Sequence, residues 1–166
     1  MNINLTQKER TLLEDQRSHE NICIQKYNNY ANQAQDPELK QMFQTYAGQE
    51  QQHLNTVNQM LSGQVPNMQQ NQQGQQGQQN QQNQQNQGQQ AGGNPMSGSM
   101  QNQSDADLCN DMLMTEKYVS SSYNTAIFEF VDTNARQALN HIQKEEQQHG
   151  EGIFNYMKKR GMYQVQ

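Results

Sequence analysis

Glu50-Gln51-Gln52-His53 recurs 96 residues later as Glu146-Gln147-Gln148-His149, and each run has a glutamate thirty residues before its own, Glu20 and Glu116. The chain thus carries one Glu…Glu-x-x-His unit twice. On a helix, positions i and i+3 share a face, so one segment can offer a carboxylate and an imidazole side by side. Carboxylate oxygens with imidazole nitrogens form a donor set for Fe or Mn ions. Four glutamates and two histidines from two helix pairs are the ligands that a four-helix bundle of the ferritin-like kind uses to hold two such ions. The candidate metal ligands are therefore Glu20, Glu50, His53, Glu116, Glu146 and His149. The cofactor they would take is a pair of Fe or Mn ions. No residue is assigned a catalytic role.

The duplication extends beyond the motif. Residues 12–53 slide onto 108–149 without a gap, with identity at eleven of 42 positions, among them Leu12, Asp15, Tyr27, Asn28, Asp36 and Gln41.

Four helices are predicted to carry these groups. The first runs from Thr6, an N-cap with Glu9 three residues on, to about Ala34. The second follows Asp36-Pro37, an N-cap with a first-turn proline, and runs to about Leu61 before Gly63 and Pro66. The third begins near Ser104 or Asp105 and ends near Phe130. The fourth follows Asp132 and ends at the basic run Lys158-Lys159-Arg160, with Gly161 as its C-terminal stop.

Each helix has an apolar stripe with spacings of three and four. The stripes are Leu13, Gln16, Glu20, Cys23, Tyr27, Tyr30, Ala34; Leu39, Phe43, Tyr46, Glu50, His53, Val57, Met60; Cys109, Met112, Glu116, Val119, Tyr123, Ile127, Phe130; and Ala135, Leu139, Ile142, Glu146, His149, Ile153, Tyr156. The glutamates and histidines fall on the stripes. A core carboxylate is costly unless paired or bound to a cation, so four at one depth call for a common explanation. The depths match, because each pair of glutamates brackets its hairpin turn at about 15 residues on either side.

Other polar groups read differently. Glu14, Asp15, Glu145 and Glu151 are expected in solvent, Glu129 beside a stripe, and His19 and His141 on the flanks. Cys23 and Cys109 read as small buried residues, since two cysteines make neither a disulfide framework nor a zinc site.

Between the helix pairs the composition changes. Residues 64–103 hold 18 glutamines in 40 positions, and no Asp, Glu, Lys, Arg or His lies between Leu54 and Ser104. Such a segment cannot bury enough apolar surface to offset its ordering entropy. The expected organisation is a helical hairpin over 1–63, a disordered Gln/Asn/Gly-rich crossover over 64–104 and a second hairpin over 105–166. Both hairpins would form one all-α, ferritin-like four-helix bundle. A Gln/Asn-rich tract also has a tendency to self-associate.

The net charge of −5 argues against a nucleic-acid partner, which needs a basic surface. No run of 18 apolar residues exists, so membrane insertion is not expected. Met1-Asn2-Ile3-Asn4-Leu5 lacks the basic start and apolar core of a signal peptide, so a chain kept inside the cell is expected.

The stretch from Asp105 onward resembles the spore coat protein F family of bacterial endospores. The residues that carry the resemblance are Asp111-Met112-Leu113-Met114-Thr115-Glu116-Lys117-Tyr118, Tyr123 to Glu129, Arg136-Gln137-Ala138-Leu139, Ile142 to His149, and Tyr156 to Tyr163. Met162 stands where that family's pattern has Trp. The resemblance implies a ferritin-like helical domain laid down in the spore coat after synthesis in the mother-cell cytoplasm, with other spore coat proteins as partners. The resemblance points to a structural coat component, with or without a retained dinuclear metal site, and defines no enzyme reaction; the repeat-derived donor set offers the alternative, a di-iron or di-manganese carboxylate enzyme of catalase, peroxidase or ferroxidase type.

Overall fold

The computed structural model describes residues 2–66 and 104–163. Four helices account for the architecture: α1 (Gln7–Gln33), α2 (Pro37–Leu61), α3 (Asp105–Glu129) and α4 (Thr133–Lys159). No strand occurs among the described residues; a single bridge joins Asn2 to Gln64.

The starts of the helices are chemical. Thr6 accepts from the Glu9 amide while the Glu9 carboxylate accepts from the Thr6 amide at 2.7 Å, and Ser104 and Asp107 form the same reciprocal box. Asp36 and Asp132 cap α2 and α4 through the amides of Glu38 and Ala135. Gly63 stops α2 at a φ of 84°. This left-handed conformation costs glycine little. It turns the chain so that the Gly63 carbonyl accepts from Ile3 N at 2.8 Å.

A short connection folds α1 back along α2, and another folds α3 along α4; the two hairpins then meet through α1 with α3 and α2 with α4. Each hairpin turn is clipped by the opposite hairpin. Asp105 accepts from the amides of Gln35 and Asp36 at 2.8 and 2.9 Å, and Glu9 accepts from the Val131 amide at 2.9 Å. Glu9 and Asp105 are 96 positions apart, as are Gln35 and Val131, so the repeat extends beyond the stretch in which identities mark it. Burial works against an ionised Glu9, but the Val131 and Thr6 amides and the Thr6 hydroxyl hold its carboxyl below the usual range.

The apolar core comes in two parts. One gathers Leu13, Val57, Met60, Val119, Ala138 and Leu139 near the α3–α4 turn. The other gathers Ala31, Leu39, Phe43, Leu108, Met112 and Ile153 near the α1–α2 turn. The layer between them, at mid-helix on all four elements, is where Glu20, Glu50, Glu116 and Glu146 lie.

The stripes hold with local shifts. Tyr30, expected inside, is half-buried at the flank and donates to Asp111 at 2.5 Å, while its neighbour Ala31 takes the core position. Gln64 and Val65, assigned to the crossover, are described, and Val65 packs into the core. Pro66 and Ser104, also assigned to the crossover, are described as well, and Ser104 belongs to the second hairpin as the N-cap of α3; residues 67–103 of the expected disordered crossover lie outside the described residues.

Candidate metal centre

All six candidate ligands are buried, each with at most 2% of its surface exposed. They fall into two overlapping groups of four, Glu20–Glu50–His53–Glu146 and Glu50–Glu116–Glu146–His149. Within each group one ligand atom per residue lies within 4.8 Å of the others. Glu50 and Glu146, the glutamates of the two Glu-x-x-His runs, belong to both groups. Glu20 and Glu116 belong to one each. The antiparallel pairing of the helices thus turns a sequence repeat into a spatial one.

Each histidine turns Nδ1 inward and Nε2 outward. His53 Nδ1 lies 3.0 Å from Glu146 and 3.4 Å from Glu50, and His149 Nδ1 lies 2.9 Å from Glu50. The outward nitrogens are held by residues of the opposite hairpin. His53 Nε2 meets Glu145 Oε2 at 2.8 Å, and His149 Nε2 meets Gln49 Oε1 at 2.9 Å. Gln49 and Glu145 are repeat-related positions. Glu145 was expected in solvent; its side chain is only 15% exposed because the packing of α4 against α2 places it behind His53. The signal in the sequence was its place one residue before the motif glutamate, which cannot be told from a solvated flank without the partner helix.

Two tyrosines close the carboxylate layer in the same crossed fashion. Tyr27 of α1 donates to Glu116 of α3, and Tyr123 of α3 donates to Glu20 of α1. These too are repeat mates. On the His149 side, Tyr46 stacks on the imidazole with 4.3 Å between ring centres, and it can do so because position 152 is glycine. A Cβ there would come within 1.9 Å of the Tyr46 hydroxyl oxygen. The repeat mate of Tyr46 is Ile142, which has no ring to stack.

The remaining polar groups stay apart. His19 pairs with Gln16 and packs edge-on against Tyr118, His141 reaches only Glu145 at 3.4 Å, and Glu129 pairs with Lys8. Cys23 and Cys109 are free thiols with no exposed surface.

Desolvation sets the electrostatics. Burial pushes the Glu20 and Glu146 carboxyls up to about 7, with the neighbouring carboxylates adding to the rise and His53 opposing it. Burial and Glu146 raise Glu116 well above its usual range. Burial works against a charged His53, yet its contacts with Glu145, Glu146, Glu20 and Glu50 raise it well above 6.5. His149 lacks that outer carboxylate, and burial takes it down to about 4.

The donor set can be tested for its fit to a cation. Glu20, Glu50, Glu116 and Glu146 each have one buried oxygen, Oε2, with no hydrogen-bond partner. Buried acceptors are nearly always satisfied, and an ionised carboxylate has only acceptor sites to offer. Four orphaned oxygens in one layer, beside two inward-turned imidazoles, are a donor set that Fe or Mn ions would satisfy.

A bundle of this topology with a central carboxylate–imidazole layer is ferritin-like, and comparison with solved structures agrees. A two-domain protein from Anabaena variabilis containing DJ-1/ThiJ/PfpI-like and ferritin-like domains superposes with a TM-score of 0.65 at 14% identity, over 95% of this chain. This chain spans 38% of that protein's length. Residues 104–166 match the sequence model of the Coat F domain, in agreement with the resemblance read from the Thr115–Tyr118 and C-terminal motifs. No curated protein sequence matches the chain significantly.

Proposed function

We propose that this chain is a structural component of the bacterial endospore coat that keeps a dinuclear metal centre within its bundle. The coat role is supported by the Coat F domain over 104–166. The metal centre is supported above all by the four unpartnered buried carboxylate oxygens. Glu20, Glu50 and His53 with Glu146 would hold one ion, and Glu116, Glu146 and His149 with Glu50 the other. Bound Fe or Mn would supply Lewis acidity and redox capacity. The protein's own part is to fix the imidazoles through Glu145 and Gln49, to hold Glu20 and Glu116 through Tyr123 and Tyr27, and to exclude water with the two apolar cores.

Other coat proteins, and further copies of this chain, are the proposed partners. The spore coat, reached from the mother-cell cytoplasm, is the proposed location. Among the described residues no helix is long and apolar enough to cross a membrane.

The deciding experiment has two arms. Antibody detection in fractionated sporulating cultures should find the protein in purified spore coats, and recovery mainly from growing cells would sink the coat reading. Metal analysis of the untagged chain should find close to two ions per chain, lost in the double variant Glu50→Ala/His53→Ala. Wild-type protein that binds no more metal than this variant would sink the metal reading.

A further inference from the structure

The hydrogen bonds that cross between the hairpins come in mated pairs: Tyr27 to Glu116 with Tyr123 to Glu20, and the Gln35 amide to Asp105 with the Val131 amide to Glu9. An approximate two-fold axis between the hairpins produces pairing of this kind. The axis relates α1 to α3 and α2 to α4, so it leaves the bundle through the α1–α3 face on one side and the α2–α4 face on the other. The two faces differ in chemistry. On α1 and α3, Ile22, Met114 and Tyr118 are 50%, 70% and 65% exposed. Neither α2 nor α4 has a large apolar side chain as exposed as these.

The three apolar residues form one patch. His19 packs edge-on against Tyr118 with ring centres 5.3 Å apart, and Ile22 stands one turn from His19 on α1. Met114 stands one turn from Tyr118 on α3. Ile22 and Tyr118 are also repeat mates, so they flank the axis. On the other face the exposed mates Gln52 and Gln148 are amides. The charged pair at the edge of the patch, Lys26 and Asp111, is already matched at 2.7 Å, and Lys26 also donates to Thr115 at 2.9 Å. The patch can therefore lose its water without stranding either charge.

We propose that the α1–α3 face is the surface through which two copies of this chain pair. The inference rests on the reading of further copies as coat partners, and it is independent of the metal. A two-fold contact is isologous: the same patch comes from both copies, so the patch must match itself. A face that repeats about an axis of its own, with neutral apolar residues at the centre, meets that condition. A highly charged partner would find no counter-charge in the patch. Aromatic residues and methionine are enriched at interface centres, and Tyr118 and Met114 supply both. The size also agrees. α1 and α3 have 27 and 25 residues. Side by side they make a face about 40 Å long and roughly 20 Å wide. That is on the order of the 800 Å² that each partner gives to a standard interface.

Sedimentation equilibrium of the full chain tests this. Wild type should sediment as a dimer at tens of micromolar. Ile22→Glu and Tyr118→Glu should each weaken pairing about tenfold or more, because a two-fold interface carries every substitution twice. The double variant should be monomeric. Both side chains are exposed in the single chain, so the double variant should keep wild-type helix content by circular dichroism. Tyr118→Phe keeps the ring and should pair nearly as wild type. Thr45→Glu, on α2 one turn before Gln49, should also pair as wild type. At equal concentration, dilute peroxide should oxidise Met114 more slowly in wild type than in Tyr118→Glu. A wild-type chain that stays monomeric overturns the proposal, as does a dimer that survives the double variant or one that Thr45→Glu weakens equally. None of these results touches the coat reading, which falls when fractionation finds the protein outside the spore coats.

Discussion

Around His53, the first half of the candidate centre has a carboxylate behind the imidazole, a leucine at position 54 and, where the other half has Tyr46, the ringless Ile142. Around His149, the second half has an amide behind the imidazole, a glycine at position 150, and Tyr46 stacked on the ring. The candidate ligands themselves do not differ between the halves: each has one terminal glutamate, the two shared glutamates and a histidine, and each terminal glutamate accepts from a tyrosine of the other hairpin. Duplication therefore preserved the donor set and varied what surrounds it. A metal centre tolerates little change in its donors, but the residues behind them can tune affinity separately on each side.

The largest effect that would break this comparison is on metal occupancy. Glu50 and Glu146 belong to both groups of four, so Glu50→Gln or Glu146→Gln should remove both ions. Glu20→Gln or Glu116→Gln should remove one. Elemental analysis of the purified variants reads this directly, and equal losses in all four would show that the shared and terminal roles are misassigned.

Next comes the inequality of the two sites. Glu145→Gln makes both outer partners amides and should weaken one of the two ions by about 10–100-fold, the usual effect of such outer partners. Gln49→Glu makes both carboxylates and should tighten the other ion. Calorimetric titration with Mn²⁺ should resolve two unequal events in wild type and bring them closer together in either variant. If both variants titrate as wild type, the outer partners do not tune the halves.

Removing the metal should expose a pH dependence. Glu20 and Glu146 stand near 7 in the folded protein against 4.5 as free side chains, so the folded state holds protons that the unfolded state has released. Stability from these groups is full below pH 4.5 and is lost as pH rises through 7. His53, raised above 6.5, contributes with the same sign. His149 has the opposite sign, but its window lies between about 4 and 6.5. The metal-free protein should therefore melt several degrees lower at pH 8 than at pH 6.5, on the order of a few kcal/mol. Metal should flatten the slope. A metal-free melting temperature that rises over this range would contradict the buried, uncompensated state of the carboxylates.

The smallest expected effect compares the two turn clips. Glu9→Ala removes the buried acceptor of the Val131 amide together with half of a capping box, and should cost about 1–2 kcal/mol. Asp105→Ala frees two amides nearer the surface, where water can replace the carboxylate, and should cost less. Urea unfolding of the two variants measures the difference.

Much of this molecule was legible from the chain alone. The caps at Thr6, Asp36, Ser104 and Asp132 and the stops at Gly63 and Gly161 are local chemistry. They place helix ends to within a residue or two without knowledge of any partner. The stripes with spacings of three and four put the six candidate ligands on inward faces, and equal distances from the turns put them at one level. The close approach of the six follows from those two facts.

What only the tertiary structure decided lies between helices. Glu145 sits beside a stripe, and nothing local separates it from solvated Glu14 or Glu151. The helix packed against it makes it a partner of His53. Tyr27 and Tyr123 read as core residues, and only the crossing of α1 with α3 shows that their hydroxyls meet Glu116 and Glu20. Gly150 looks like a weak point in a helix until Leu113 and Glu116 are seen at contact distance from where its Cβ would stand. Local sequence determines backbone conformation and which face turns inward, because those depend on neighbours within one turn. Which atom meets which across the core depends on the relative tilt and register of two helices, and these are set by the packing of all four.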